Sequence, residues 1–265
     1  MAHNARAKRT NRKIRSQPLR MLARFLKHGS PAFSIYTGVE GIWIKCNELA
    51  LNIHTDTEVR IERRMEGPGN PFQDNLSRQG SEKGLPEDDN QSLSKRLDSR
   101  SYSTPDYWYV YKVARLLKLD PEDVFFDIGC GMGRILCVLA RHKIRKCVGI
   151  ELFEDLCEAA RSNGVRLRGR KAPIEIIRAD AAVADLSEGT VYFMFNPFGA
   201  ETLRDVLDNI GKSLTRNPRD IKIVYYNSVH EACFQSSAWL QKFHSFNTIT
   251  KRKVTFWKNF NCEIL

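Results

Sequence analysis

The chain has 265 residues and 42% hydrophobic content, enough for one medium domain with appendages and a sizeable core. Forty-two Lys and Arg against 31 Asp and Glu give a formal charge of +11. Nine of those cations (Arg6, Lys8, Arg9, Arg12, Lys13, Arg15, Arg20, Arg24, Lys27) fall in the first 30 residues without a single acid, so attraction to a polyanion resides in the tail. No apolar run approaches the ~18 residues of a membrane-spanning helix, which excludes such a span. The seven cysteines (Cys46, Cys130, Cys137, Cys147, Cys157, Cys233, Cys262) never form a C-x-x-C pair. That argues against a disulfide framework and a zinc site, and predicts reduced, mostly buried thiols in a cytoplasmic protein. The basic N-terminus lacks the apolar core and cleavage site of a secretory signal, although an Arg-rich, acid-poor start also suits an organelle transit peptide.

In chain order, residues 1–30 read as a basic tail. Pro18 to His28 alternates Leu, Met and Phe with Arg and Lys at helical spacing, which predicts a short amphipathic helix that rests on the body or meets an acidic surface or nucleic acid. Residues 31–65 form a small accessory segment, where Ile42/Ile44 and Val59/Ile61 repeat with period two and predict short strands. Between residues 66 and 100 large apolar side chains reduce to Phe72, Leu76, Leu85, Leu93 and Leu97, so this stretch reads as a flexible linker with a solvated acidic cluster at Glu87, Asp88 and Asp89.

From Ser101 to the C-terminus the texture is that of one domain. A helix is predicted from Tyr107 to Lys118, then strand VFFDI (124–128), a helix from Met132 to Arg141, strand CVGIE (147–151) and a helix from Phe153 to Arg168. Strands IEIIR (174–178) and VYFMF (191–195), a helix from Glu201 to Leu214 and strand IKIVYY (221–226) follow. Phe243 to Phe260 alternates well enough for two closing strands in an antiparallel hairpin. Short apolar strands alternating with helices predict an α/β fold, a mostly parallel seven-stranded sheet of Rossmann-like type with helices on both faces.

The first strand runs into Gly129-Cys130-Gly131-Met132-Gly133-Arg134. Glycines at alternate positions let the backbone turn off a strand end and approach a ligand closely. The spacing G-x-G-x-G departs from the G-x-G-x-x-G of dinucleotide folds, so a pyrophosphate cradle is less favoured. Asp127 stands two residues before the first glycine, where an acid can hold a ligand ammonium. Glu151, at the end of the second strand, is placed to accept ribose hydroxyls or to cap the next helix. Asp180, after the third strand, can accept from an adenine amino group or cap a turn. The fourth strand ends in Phe195-Asn196-Pro197-Phe198-Gly199, and strand carboxyl ends in such sheets converge on the ligand crevice. Asn196 there can hold a nucleophilic nitrogen while Pro197 fixes the loop. His230, in YNSVH beyond the fifth strand, is the best-placed general base, with a capping role as its bland alternative. Tyr225, Tyr226 and Asn227 can shape a substrate pocket. His54 and His244 have no partner spacing and read as structural or surface groups. Lys251-Arg252-Lys253 reads as a solvated turn or a phosphate contact.

D-x-G-C-G-x-G, the acid ending the second strand, A-D-A after the third and F-N-P-F after the fourth resemble motifs I to IV of class I S-adenosylmethionine-dependent methyltransferases, over roughly Ser101 to Gln241. VFFDIGCGMGR, GTVYFMFNPFG and VYYNSVH are similar to a bacterial group within that class, distantly like its histone-lysine methyltransferases. N-P-F is similar to the N-P-P-Y of amino-methylating enzymes, with the second Pro missing. The resemblance implies S-adenosylmethionine as cofactor. Asp127, Gly129, Cys130, Gly131 and Gly133 would wrap its methionine and ribose portion, Glu151 its ribose hydroxyls, and Asp180 with Ala181 its adenine. Tyr102, Ser103 and Thr104 match a segment that covers the cofactor, and Asn196, Pro197 and Phe198 would line the transfer site. Two functions are open at this point. One is methyl transfer to nitrogen on a macromolecule, protein in preference to nucleic acid; the other is a non-catalytic module of this fold that binds nucleic acid through the tail.

Overall fold

The computed structural model describes residues 43–55 and 104–260. The basic tail and its expected helix, the Val59/Ile61 pair, the 66–100 stretch, Tyr102 and Ser103 lie outside the described residues. The chain divides into two units, Met1–Leu51 and Asn52–Leu265. In the first, residues 43–51 are helical, not extended, which corrects the strand expected around Ile44. Local pairing explains it. Lys45 meets Glu48 one turn on at 3.2 Å, and the Asn47 side chain donates to the Trp43 carbonyl at 2.8 Å, contacts that only helical spacing allows.

The second unit opens on α1 (Tyr107–Leu117) and then runs β1 (Val124–Ile128), α2 (Arg134–Leu139), β2 (Lys146–Glu151), α3 (Glu154–Arg166), β3 (Ile174–Arg178), β4 (Val191–Met194), α4 (Ala200–Arg216), β5 (Lys222–Tyr226), α5 (Glu231–Gln235), β6 (Leu240–Asn247) and β7 (Lys253–Asn259). The sheet order is β3-β2-β1-β4-β5-β7-β6. β1 to β5 are mutually parallel, and β7 inserts antiparallel between β5 and β6. The hairpin is therefore no appendage, because its second strand joins the parallel sheet and its first becomes an edge. β1, β4 and most of β2 and β5 are buried on both faces, as apolar runs without alternation require.

Helices cover both faces. Phe126, Ile128, Ile150, Tyr192, Met194, Ile223 and Tyr225 pack with Leu203, Val206, Leu207 and Ile210 of α4 and Phe234 of α5. On the opposite face, Gly149 lies under Leu136 of α2, and Gly164 of α3 lies against Ile174. α1 packs on that same side, its Tyr109 ring meeting Tyr226 at 6.4 Å. Residues 52–55 are tied to this layer. Asn163 of α3 accepts from the His54 N–H and donates to the His54 carbonyl, both at 2.9 Å, which gives His54 a backbone role. α2 starts later than its apolar pattern suggests, since Gly133 adopts φ +76° and only Arg134 enters the helix. At the amino end of the sheet, Arg219 places its guanidinium donors on the carbonyls of Leu186, Gly189, Ser213 and Asn217 and on the Tyr192 and Ser213 hydroxyls, fastening the turns before β4 and β5. No helix among the described residues is long and apolar enough to cross a membrane.

Candidate functional site

The carboxyl ends of β1, β2, β4 and β5 gather nearly all the described residues singled out from sequence. Gly129, Gly131 and Gly133 take φ of +75°, +53° and +76°, the left-handed region that L side chains enter only with strain. The loop is fastened to β2, because the Gly129 and Cys130 N–H groups both donate to the Ile150 carbonyl, at 2.8 and 3.1 Å. A methyl on Gly129 would lie 2.6 Å from Cβ of Pro197, so the glycine loop and the Asn196-Pro197 loop are in direct contact. Met132, in the same loop, accepts the Asn163 amide through its carbonyl at 3.0 Å.

Two carboxylates stand beside this loop. Glu151 accepts from the Gly131 N–H at 2.9 Å through one oxygen, and from the Leu152 and Phe153 N–H groups at 2.8 and 3.1 Å through the other. Burial raises its pKa; the three N–H bonds oppose that without cancelling it. Asp127 is 1% exposed, and its Oδ2 has no hydrogen-bond partner among the described residues. Burial, and then the Glu151 carboxylate, push its pKa well above the ordinary carboxylate range. Cys130 is held as a protonated thiol by burial and by those two acids, so it serves the loop as a small apolar side chain. Asp180 accepts from the Ala182 N–H at 2.9 Å, and its carbonyl accepts from Ala184 at 2.9 Å, a turn that sets Ala181 against the core. Thr104 is buried just before α1.

Asn196 is buried, with φ +42°, and its Oδ1 accepts from the Tyr225 hydroxyl at 2.8 Å. The same hydroxyl oxygen receives the His230 N–H at 3.3 Å. Tyr225, expected from sequence to shape a substrate pocket, thus joins the β4 loop to the β5 loop. Tyr226 faces the other side of the sheet, in an aromatic cluster with Phe195 at 4.9 Å and Phe193 at 6.3 Å. Phe198 is buried in the α4-side core beside Ala181 and Leu203. Asn227, at φ +55°, accepts the Val229 N–H at 2.7 Å and makes the tight turn before His230. His230 caps α5 by position without a capping bond from its side chain, and the next residue, Glu231, is gripped by Lys242 at 2.9 Å and by Lys253. His244 lies away from these groups, its ring against Phe256 at 5.3 Å.

Sequence reasoning missed a further group. Arg134 is buried at the start of α2, donating to the Thr55 hydroxyl at 2.9 Å and to the Thr55 and Pro105 carbonyls at 3.3 and 3.4 Å, with its guanidinium 4.9 Å over the Tyr107 ring. It ties the segments before α1 to the glycine loop. The spacing of 79 residues to Thr55 left no local signal.

Comparison with known proteins is consistent with this arrangement. Residues 95–173 match the family described as "Histone methylation protein DOT1". A protein-lysine N-methyltransferase of Saccharolobus islandicus is 30% identical over 87 residues, 32% of this chain and 53% of that protein. A histone-lysine N-methyltransferase of Dictyostelium discoideum, H3 lysine-79 specific, is 34% identical over 96 residues, 31% of this chain and 5% of that protein. The chain therefore spans about half or less of the length of these relatives. Among solved structures, an RNA methyltransferase from Salinibacter ruber in complex with S-adenosyl-L-homocysteine is 26% identical with a TM-score of 0.48, covering 60% of this chain and 95% of that one. The sheet order, the glycine loop after β1 and the match over residues 95–173 liken the described domain to the class I S-adenosylmethionine-dependent methyltransferases, and more distantly to the histone-lysine methyltransferases among them.

Proposed function

We propose that the protein transfers a methyl group from S-adenosylmethionine to a side-chain nitrogen of a protein, a lysine amine, in the cytoplasm. The observation that carries this reading is the contact between Gly129 and Pro197, which sets a cofactor loop and an acceptor loop on one crevice. The residues present fit the cofactor. A buried carboxylate oxygen on Asp127 without a partner suits an ammonium, and three left-handed glycines leave backbone open for close approach. Glu151 accepts three backbone N–H bonds at its roughly four acceptor positions, which leaves room for one ribose hydroxyl.

S-adenosylmethionine supplies a methyl already activated by its sulfonium, so no acid is needed. Asp127, Gly129, Cys130, Gly131, Gly133 and Glu151 would hold the methionine and ribose portion and Asp180 and Ala181 the adenine; Thr104, with Tyr102 outside the described residues, would cover it. Asn196 orients the acceptor nitrogen, with Pro197, Phe198, Tyr226 and Asn227 shaping its surroundings. An acceptor ammonium must lose a proton before it can attack, and His230 receives it. The rest is geometry and exclusion of water. The protein acceptor is supported by the likeness to a protein-lysine methyltransferase.

Calorimetric titration with S-adenosylmethionine and with NAD, followed by methyl transfer to lysine peptides and to RNA, tests this reading. Micromolar binding of S-adenosylmethionine alone, with methylated peptide, is expected; a folded protein that binds neither ligand would overturn it. Tyr225→Phe removes the bond that holds Asn196 at positive φ. Loss of such a buried partner, about 1–3 kcal/mol, corresponds to a fall in kcat of about 10- to 100-fold, with cofactor Kd held within about twofold. A fall in cofactor affinity of the same size would assign Tyr225 to general stability instead.

A further inference from the structure

Around the crevice rim, outside the groups assigned above, lies a surface whose charge is unspent. Trp108 of α1, Val229 of the β5–α5 turn and Ile249 of the β6–β7 turn are 55%, 59% and 67% exposed. Between them stand Lys112, Lys251 and Arg252, and none of these makes an ion pair among the described residues. The neighbouring acid, Glu231, is already held by Lys242 and Lys253.

The turn that carries Lys251 and Arg252 is ordered before any partner arrives. Thr248 closes the turn by accepting the Lys251 N–H through its carbonyl at 2.9 Å and the Arg252 N–H through its hydroxyl at 2.9 Å, while its own N–H donates to the Arg252 carbonyl at 2.8 Å. Lys251 takes φ +62° in consequence. The Ile249 N–H donates to the Tyr109 hydroxyl at 2.6 Å, which docks the turn on α1. The Arg252 guanidinium lies 5.4 Å over the Phe195 ring, one residue from Asn196. Lys112 lies 3.8 Å over Phe246 and 5.6 Å from Trp108.

We propose that this rim is the acceptor-docking surface, and that it selects polypeptides carrying aspartate or glutamate beside the target amine. The inference rests on the protein-acceptor reading above and adds the chemistry of the acceptor's flanks. Arg252 over Phe195, with Lys112 and Lys251 on the adjoining α1 and β6–β7 turn, repels a cationic flank and attracts an acidic one, while exposed Trp108, Val229 and Ile249 give the peptide apolar footing. Nucleic acid is less suited. Single-stranded bases seek a run of open aromatic faces, and here Trp108 alone among the rim's described rings is exposed: Phe195 and Phe246 are capped by Arg252 and Lys112, and Tyr109 and Tyr226 pack on each other.

The test uses the full chain with isotopically labelled S-adenosylmethionine and three lysine peptides that differ only in flanks of Glu, Ser or Arg, at low and moderate salt. Wild type is expected to favour the Glu peptide over the Ser peptide by about tenfold in kcat/KM, with the preference shrinking as salt rises. The pair Lys251→Glu and Arg252→Glu is expected to move the preference to the Arg peptide while cofactor Kd stays unchanged. Equal kcat/KM for all three peptides, or a preference untouched by charge reversal, would overturn the docking proposal and leave the protein-lysine reading standing. Stronger competition by an RNA oligonucleotide than by the unmethylatable Glu peptide, lost on charge reversal, would overturn it in favour of nucleic acid. No transfer to any peptide by cofactor-bound protein would overturn the protein-lysine reading and this proposal with it.

Discussion

Gly129→Ala is expected to abolish measurable cofactor binding and to lower stability by about 3 kcal/mol. Two effects add. The φ of +75° strains any L side chain by about 1–2 kcal/mol, and the new methyl would sit 2.6 Å from Cβ of Pro197, well inside van der Waals contact. Neither side can retreat cheaply. β1 and β4 are paired neighbours, with Ile128 opposite Met194, so the strands that carry the two loops cannot separate. Pro197 is bonded to Asn196, which Tyr225 pins from below. Any movement that relieves the clash therefore displaces the acceptor loop as well as the glycine loop. Denaturant unfolding and calorimetry check both parts. Gly164→Ala is the control, since its methyl would meet Ile174 at an ordinary 3.5 Å within α3; helix propensity alone predicts a gain of up to about 1 kcal/mol. A Gly129→Ala protein with ordinary cofactor affinity would separate the two loops and remove the main support for the proposed site.

What sequence made legible follows from the range over which each feature is encoded. Strands such as VFFDI and VYFM are short apolar runs bounded by turn residues, and they were found to within a residue because burial on both faces is written locally. The place of β7 between β5 and β6 has no local code; alternation in the hairpin shows only that two strands exist. Ile44 shows the reverse failure. Its period-two spacing with Ile42 covers too few residues to outvote the helical pairing of Lys45 with Glu48. At the site, the glycine loop was visible because its chemistry lies in consecutive residues. Tyr225 was singled out together with Tyr226, but its bond to Asn196 was not legible, because that partner is 29 residues away and adjacent Tyr226 carries the same side chain to the opposite face. Arg134 is a similar case, its contacts being with Thr55 and Pro105.

Asp127→Asn is expected to stabilise the ligand-free protein at neutral pH and to weaken S-adenosylmethionine binding by at least about tenfold. The folded protein holds the Asp127 carboxyl above the ordinary value of about 3.9, through burial and the nearby Glu151 charge. Between the unfolded and folded pKa values, the folded chain keeps a proton that the unfolded chain has released. Stability of the ligand-free protein therefore falls as pH rises from about 4, by about 1.4 kcal/mol per unit for one such group, until the folded pKa is passed. Glu151 shifts in the same direction, so the part owed to Asp127 is the difference in slope between wild type and Asp127→Asn, read from urea unfolding at several pH values. Asparagine keeps the shape and removes the ionisation, and with it that loss. A ligand ammonium against Oδ2 favours the carboxylate, so binding releases a proton and wild-type affinity rises with pH through the same window. In the asparagine variant that rise and the proton release disappear, which calorimetry in buffers of different ionisation enthalpy detects. Ligand affinity and proton release equal to wild type would mean that Asp127 does not meet the ammonium, and its buried, unpartnered oxygen would then be strain without a use.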